Sequence, residues 1–144
     1  MKLSLTEAVK PKQFEMLVDP NLDYDTTKIN VIRQYVRFVI KQVKIEGTFK
    51  LVFTTEKEKL GVKTTAYYRD ADKMVVVYAK NRMLGDVLRS VTHELVHKRQ
   101  YEEGRITHPV QDVGGEIEDE ANAKAGAIIK IFIKDNPMGK FLFD

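Results

Sequence analysis

The chain has 144 residues, 43% hydrophobic and 31% charged, the balance of a soluble globular protein long enough to bury a core as one domain, 1–144. Zero cysteines exclude disulfides and thiolate metal ligands, so a transition-metal site must be built from His and carboxylate, and the reducing cytoplasm is the expected compartment. A net charge of +3 with no Arg-rich stripe or aromatic platform gives no case for a nucleic-acid partner, and no apolar run approaches the roughly 18 residues of a membrane span.

Residues 1–25 are weakly patterned. They hold Pro11, Pro20 and the turn-like DPNLDYD, and they lack the sustained apolar core of a signal peptide. Over 27–45 the apolar set Ile29, Ile32, Val36, Val39, Ile40 and Val43 follows helical spacing, with Asp25 or Thr26 to cap its start and Gly47 to stop it. Residues 49–53 alternate as a strand does, and 54–62 form a charged connection. Two β-rich runs, 63–69 and 73–79, flank Asp70-Ala71-Asp72 and predict a hairpin. Its 64–68 arm is the candidate sheet edge, and Val75, Val76 and Val77 mark a buried strand.

A helix follows over about 82–101, with Leu84, Leu88, Val91 and Leu95 on one stripe and Gly104 past its end. After an irregular stretch holding His108-Pro109 and Gly114-Gly115, a last helix spans about 116–134. It carries Ile117, Ala121, Ala125, Ile128 and Phe132 at helical spacing, and Pro137 ends it. The order predicts an α+β fold: a small, mostly antiparallel sheet packed by helices.

The chemistry concentrates in VTHELVHKRQ, residues 91–100, where two of the three histidines flank Glu94. Residues four apart on a helix are separated by about 40° and roughly 6 Å along the axis. His93 and His97 can therefore face one ion. Glu94 projects about 100° away from His93 and suits the role of general base toward a water on the ion. Such a frame arises by chance in roughly a few chains per thousand of this length, and the apolar stripe beside it indicates that it is helical.

A catalytic zinc takes three protein ligands. The candidates for the third are Glu103, His108, Glu116, Glu118 and Glu120, within a run of seven acids against one base over residues 102–120. Glu118 is preferred. It lies one turn before Asn122 and beside Ala121, Ala125 and Gly126, small residues that let two helices approach. Asn122 is then placed to bond a ligand side chain from outside the metal shell.

HELVH followed by Glu118-Asp119-Glu120-Ala121-Asn122-Ala123-Lys124-Ala125 resembles the gluzincin-type zinc metallopeptidases, most closely the ImmA/IrrE-like (minigluzincin) group, with the resemblance covering roughly 62–130. Lys124 stands where that group has an aromatic residue. The resemblance implies a zincin-like fold, with an active-site helix bearing the motif and a following glutamate helix. It implies one zinc ion on His93, His97 and Glu118, with Glu94 as catalytic base hydrolysing peptide bonds of a peptide or protein substrate. Tyr67, Tyr101 and His108, with Tyr68 and Tyr78, are candidates for the oxyanion or proton donor. The rival expectation is a non-catalytic module of the same fold that keeps zinc for structure or binding.

Overall fold

The computed structural model describes residues 12–59, 64–106 and 115–136. The predicted contributions of His108, Gly114 and Pro137 lie outside the described residues. Within the weakly patterned opening segment, Phe14–Val18 forms a strand, β1, with alternating partial burial and exposure. Five residues with a glutamate at their second position carry little strand signal by themselves. The partner decides: Phe14 stacks on Phe49 with ring centroids 5.6 Å apart, and the Phe49 amide donates to the Gln13 carbonyl (3.1 Å).

The first helix, α1, is Thr26–Val43. An Asp25 carboxylate oxygen accepts from the Lys28 amide at 2.8 Å and caps its start. Its end comes earlier than Gly47 suggests. Lys44 takes a left-handed φ of 67° and closes the last turn onto the Ile40 carbonyl at 2.9 Å. Gly47 has a different use, since a Cβ there would meet Glu102 and Lys98 side-chain atoms at 3.3 Å.

The remaining elements are β2 (Phe49–Thr54), a short 3₁₀ turn (Lys57–Lys59), β3 (Ala66–Arg69), β4 (Met74–Tyr78), α2 (Leu84–Glu102) and α3 (Glu116–Asp135). In the β3–β4 turn, Asp70 accepts from the Tyr68 hydroxyl and the Lys73 ammonium, both at 2.7 Å, while Arg69 grips Asp72 through two nitrogens at 2.9 and 2.7 Å.

The α+β class holds, but the sheet is not mostly antiparallel. Its order is β1-β2-β4-β3; β1–β2 and β2–β4 are parallel, and only the β3–β4 hairpin is antiparallel. Recognising β1 turns the stretch from β1 through α1 to β2 into a crossover unit, which requires parallel pairing. One hydrophobic cluster joins all three helices to one face of the sheet, through Phe49, Leu51, Phe53, Val75 and Val77 on the strands. Tyr67 is in register with Val76, while Ala66 and Tyr68 are in register with Val77 and Val75. Strand alternation thus sends Ala66 and Tyr68 toward the helices and Tyr67 to the other face. No described helix is long and apolar enough to cross a membrane.

Candidate metal centre

The motif helix α2 is fixed by burial on one side. Leu88, Val91 and Leu95 are fully buried in the core, and Thr92 bonds the equally buried Tyr35 hydroxyl of α1. At its start no side chain caps the helix. Instead Arg82 ties it to β4, donating to the Tyr78 carbonyl at 2.7 Å, the Asp86 carbonyl at 3.2 Å and the Ser90 hydroxyl at 2.8 Å. At its end Gly104, with φ of 75°, lets the chain reverse so that the Arg105 amide closes on the Gln100 carbonyl (2.9 Å).

Opposite the histidines lies the first turn of α3. Ala121 and Ala125 are buried against α2, and the absence of larger side chains there lets the two helices approach closely. The approach brings Glu118 onto both imidazoles: His93 Nε2 to Oε2 is 3.2 Å, His97 Nε2 to Oε1 is 2.8 Å, and the two Nε2 atoms are 3.1 Å apart. Three ligands held about 2.0–2.1 Å from a tetrahedral ion stand about 3.3 Å from one another. The three donor atoms match that triangle to within about half an ångström. This group of two histidines and a glutamate is able to hold a metal ion.

The proton inventory supports the same conclusion. Gln100, fully buried, donates through Nε2 to the Ile117 carbonyl (3.1 Å) and to Glu120 (2.8 Å), so its Oε1 must accept from His97 Nδ1 at 2.7 Å. That bond puts the imidazole proton on Nδ1 and leaves the Nε2 lone pair facing the Glu118 carboxylate. Two acceptors 2.8 Å apart need a cation or a further proton between them. His93 is hydrogen-bonded by Asn122 on α3, and burial, with His97 adding to it, pushes its pKa down, which favours the neutral ring that ligates metals.

Glu94 sits beside this group. It is 8% exposed, and burial, then the nearby charge of Glu118, pushes its carboxyl up to about 8, against the backbone N–H of Tyr68, which donates to it. Two carboxylates converging with so little compensation mark a place where a divalent cation is electrostatically welcome. His93, Glu94 and Asn122 open onto a cleft of ≈ 460 Å³ whose other walls are Thr64, Thr65 and Ala66 leading into β3, and Arg82, Asp86, Arg89 and Ser90 of α2 and its approach.

The other residues singled out from sequence are distributed as follows. Glu120 bonds Gln100 and Arg105 (2.9 Å), Glu103 lies near Arg99 and Arg105, and Glu116 is exposed, so none of these shares the histidines with Glu118. Tyr101 packs on Tyr68 with centroids 5.6 Å apart, and neither it nor Tyr67 lines the cleft. His108 lies outside the described residues. Gln100 is the participant that sequence reasoning missed. The available signal was its place three residues after His97, on the face of the motif helix that carries both histidines. Comparison with family models, with curated proteins and with solved structures finds no match to this chain.

Proposed function

We propose that the chain is a zinc-dependent metallopeptidase of gluzincin type, akin to the ImmA/IrrE-like group that its two motifs resemble. The observation that carries this reading is the convergence of His93, His97 and Glu118 next to a buried carboxylate, Glu94, at the wall of an open cleft. Two imidazoles and one carboxylate are a donor set suited to zinc, with one position left open. A purely structural site has no use for a base beside it.

A bound zinc ion supplies Lewis-acid polarisation of the peptide carbonyl and acidifies water at neutral pH. The chain's own groups do the rest. Glu94, whose charged form a bound cation would stabilise against the charge of Glu118, takes a proton from the attacking water as its oxygen bonds to the carbonyl carbon, and returns that proton to the amine nitrogen as the C–N bond breaks. The Tyr68 amide fixes the carboxylate against the edge strand, while Gln100 and Asn122 hold the two imidazoles in orientation. A substrate in extended form fits between the β3 side and α2, with its scissile bond over His93 and Glu94.

The test compares zinc content and hydrolysis of a broad peptide library for the wild type and Glu94→Gln. One zinc per chain in both, with cleavage reduced about 10²–10⁴-fold in the variant, is the expected result. Zinc in both with cleavage in neither identifies a non-catalytic zinc module. Absence of stoichiometric zinc overturns the proposal.

A further inference from the structure

Of the metal group, His93 lines the cleft together with Glu94, and a turn back along the same helix the lining carries guanidinium groups. Arg82 and Arg89 both line the cleft. All three bonds of Arg82 go to neutral oxygens, two carbonyls and a hydroxyl, and among the described residues no carboxylate bonds it. Burial nevertheless strips part of its water and pulls its pKa down. A guanidinium carries five N–H donors, so donors remain after these bonds, on a group whose plane is already fixed. Arg89 reaches Asp86 at 3.5 Å, with both side chains about half exposed, a pairing worth little in water. Two guanidinium groups therefore share one loosely held carboxylate.

Their position relative to the metal group gives this imbalance a use. Arg89 and Ser90 stand four residues before His93 and Glu94 on the same helix, a displacement of roughly 6 Å along its axis. An extended peptide advances about 3.3 Å per residue. We infer that Arg82 and Arg89 form a carboxylate-binding subsite that selects peptides with an anionic group one or two residues from the bond cut. The inference names a substrate class for the hydrolytic reading and rests on it for its biological role. Binding tests it separately. An acidic side chain and a free C-terminus present the same carboxylate, and an immobilised guanidinium recognises either through charge-assisted bonds.

The experiment measures, by calorimetry with saturating zinc, the affinity of the Glu94→Gln protein for four matched peptides: Glu or Gln near the centre, each with a free or amidated C-terminus. The expected result is that the Glu peptides bind about tenfold tighter than the Gln peptides, the contribution of one hydrogen bond to a charged group. That margin shrinks with added salt and disappears with Arg89→Gln or Arg82→Lys. A margin that follows the free C-terminus instead keeps the subsite and assigns it to chain ends. Equal affinity for all four peptides overturns it. If Arg82→Lys loses its circular dichroism, Arg89→Gln decides alone, because its half-exposed side chain clamps no element. Parallel hydrolysis by the wild type separates the two readings. Selective binding with no cleavage sinks the hydrolase and leaves the subsite, and cleavage with no selectivity in binding does the reverse.

Discussion

At the scale of single residues, Gln100 organises the site without touching the ion's place. Its carbonyl oxygen fixes the His97 proton on Nδ1, and its amide grips the first turn of α3 at Ile117 and Glu120. Replacing it by Leu leaves the buried shape filled but removes both functions. Gln100→Leu is expected to weaken zinc affinity about 10–100-fold, read by competition with a chromophoric chelator, while far-UV dichroism is retained. Gln100→Glu is the informative companion. A carboxylate can still accept from Nδ1 but cannot donate to Glu120, so it should restore part of the affinity and lower the Tm. The spacing of His93, Glu94 and His97 was legible in the sequence because helix geometry turns four residues into one face. Glu118 was legible because small residues and an Asn follow it. Gln100 was not, because an uncharged amide on a helix has no distinctive pattern until its neighbours across the interface are known.

At the scale of elements, the far end of α2 is tied to the turn after α1 by one carboxylate. Glu102 accepts from the Glu46 and Gly47 amides at 3.0 and 2.9 Å and pairs with the buried Lys98 at 3.1 Å, close enough to Gly47 that a Cβ there crowds both. Burial works against its charge, but the two amides and Lys98 prevail and hold its pKa below the ordinary carboxylate value. The sign follows. A depressed folded pKa means that Glu102 stabilises the fold above its unfolded pKa, near 4.5, and that this contribution is lost as pH falls through the lower folded value. Glu102→Gln should therefore lower stability by about 1.5–3 kcal/mol at pH 7, with the gap from wild type closing as denaturation is repeated below about pH 4.5. A gap that stays constant into acid would show that the charge is not what is being lost. Among the described residues, all three helices and three of the four strands were readable as periodic patterns. β1 was not, since its identity as a strand depends on Phe49 and β2 far along the chain.

At the scale of the molecule, missing β1 hid one of the two parallel pairings, and the other was hidden because the hairpin sets β4, not β3, beside β2. The same whole-chain view explains why the metal group should report on folding. Its ligands come from two helices that are joined by a segment outside the described residues, and an ion held between them favours only the state in which α2 and α3 are docked. Zinc at 100 times its Kd should add about 2.7 kcal/mol, a rise in Tm of about 5–10 °C for a chain of this size. A chelator should reverse the rise in differential scanning fluorimetry, and His97→Ala should show none of it.

One contact made by Glu94 reaches beyond chemistry. In an antiparallel hairpin alternate residues turn their amides away from the partner strand, and on β3 these are Ala66 and Tyr68. The Ala66 amide and carbonyl are both bonded by the Thr64 hydroxyl (3.3 and 2.6 Å), and the Tyr68 amide is held by Glu94. The β3 border of the sheet is thus largely occupied from inside the chain. An arriving polypeptide finds few backbone groups with which to zip up, so indiscriminate pairing with other strands is discouraged. Recognition shifts to side chains, and the carboxylate proposed to break peptide bonds also keeps the molecule from adhering to every extended chain that passes.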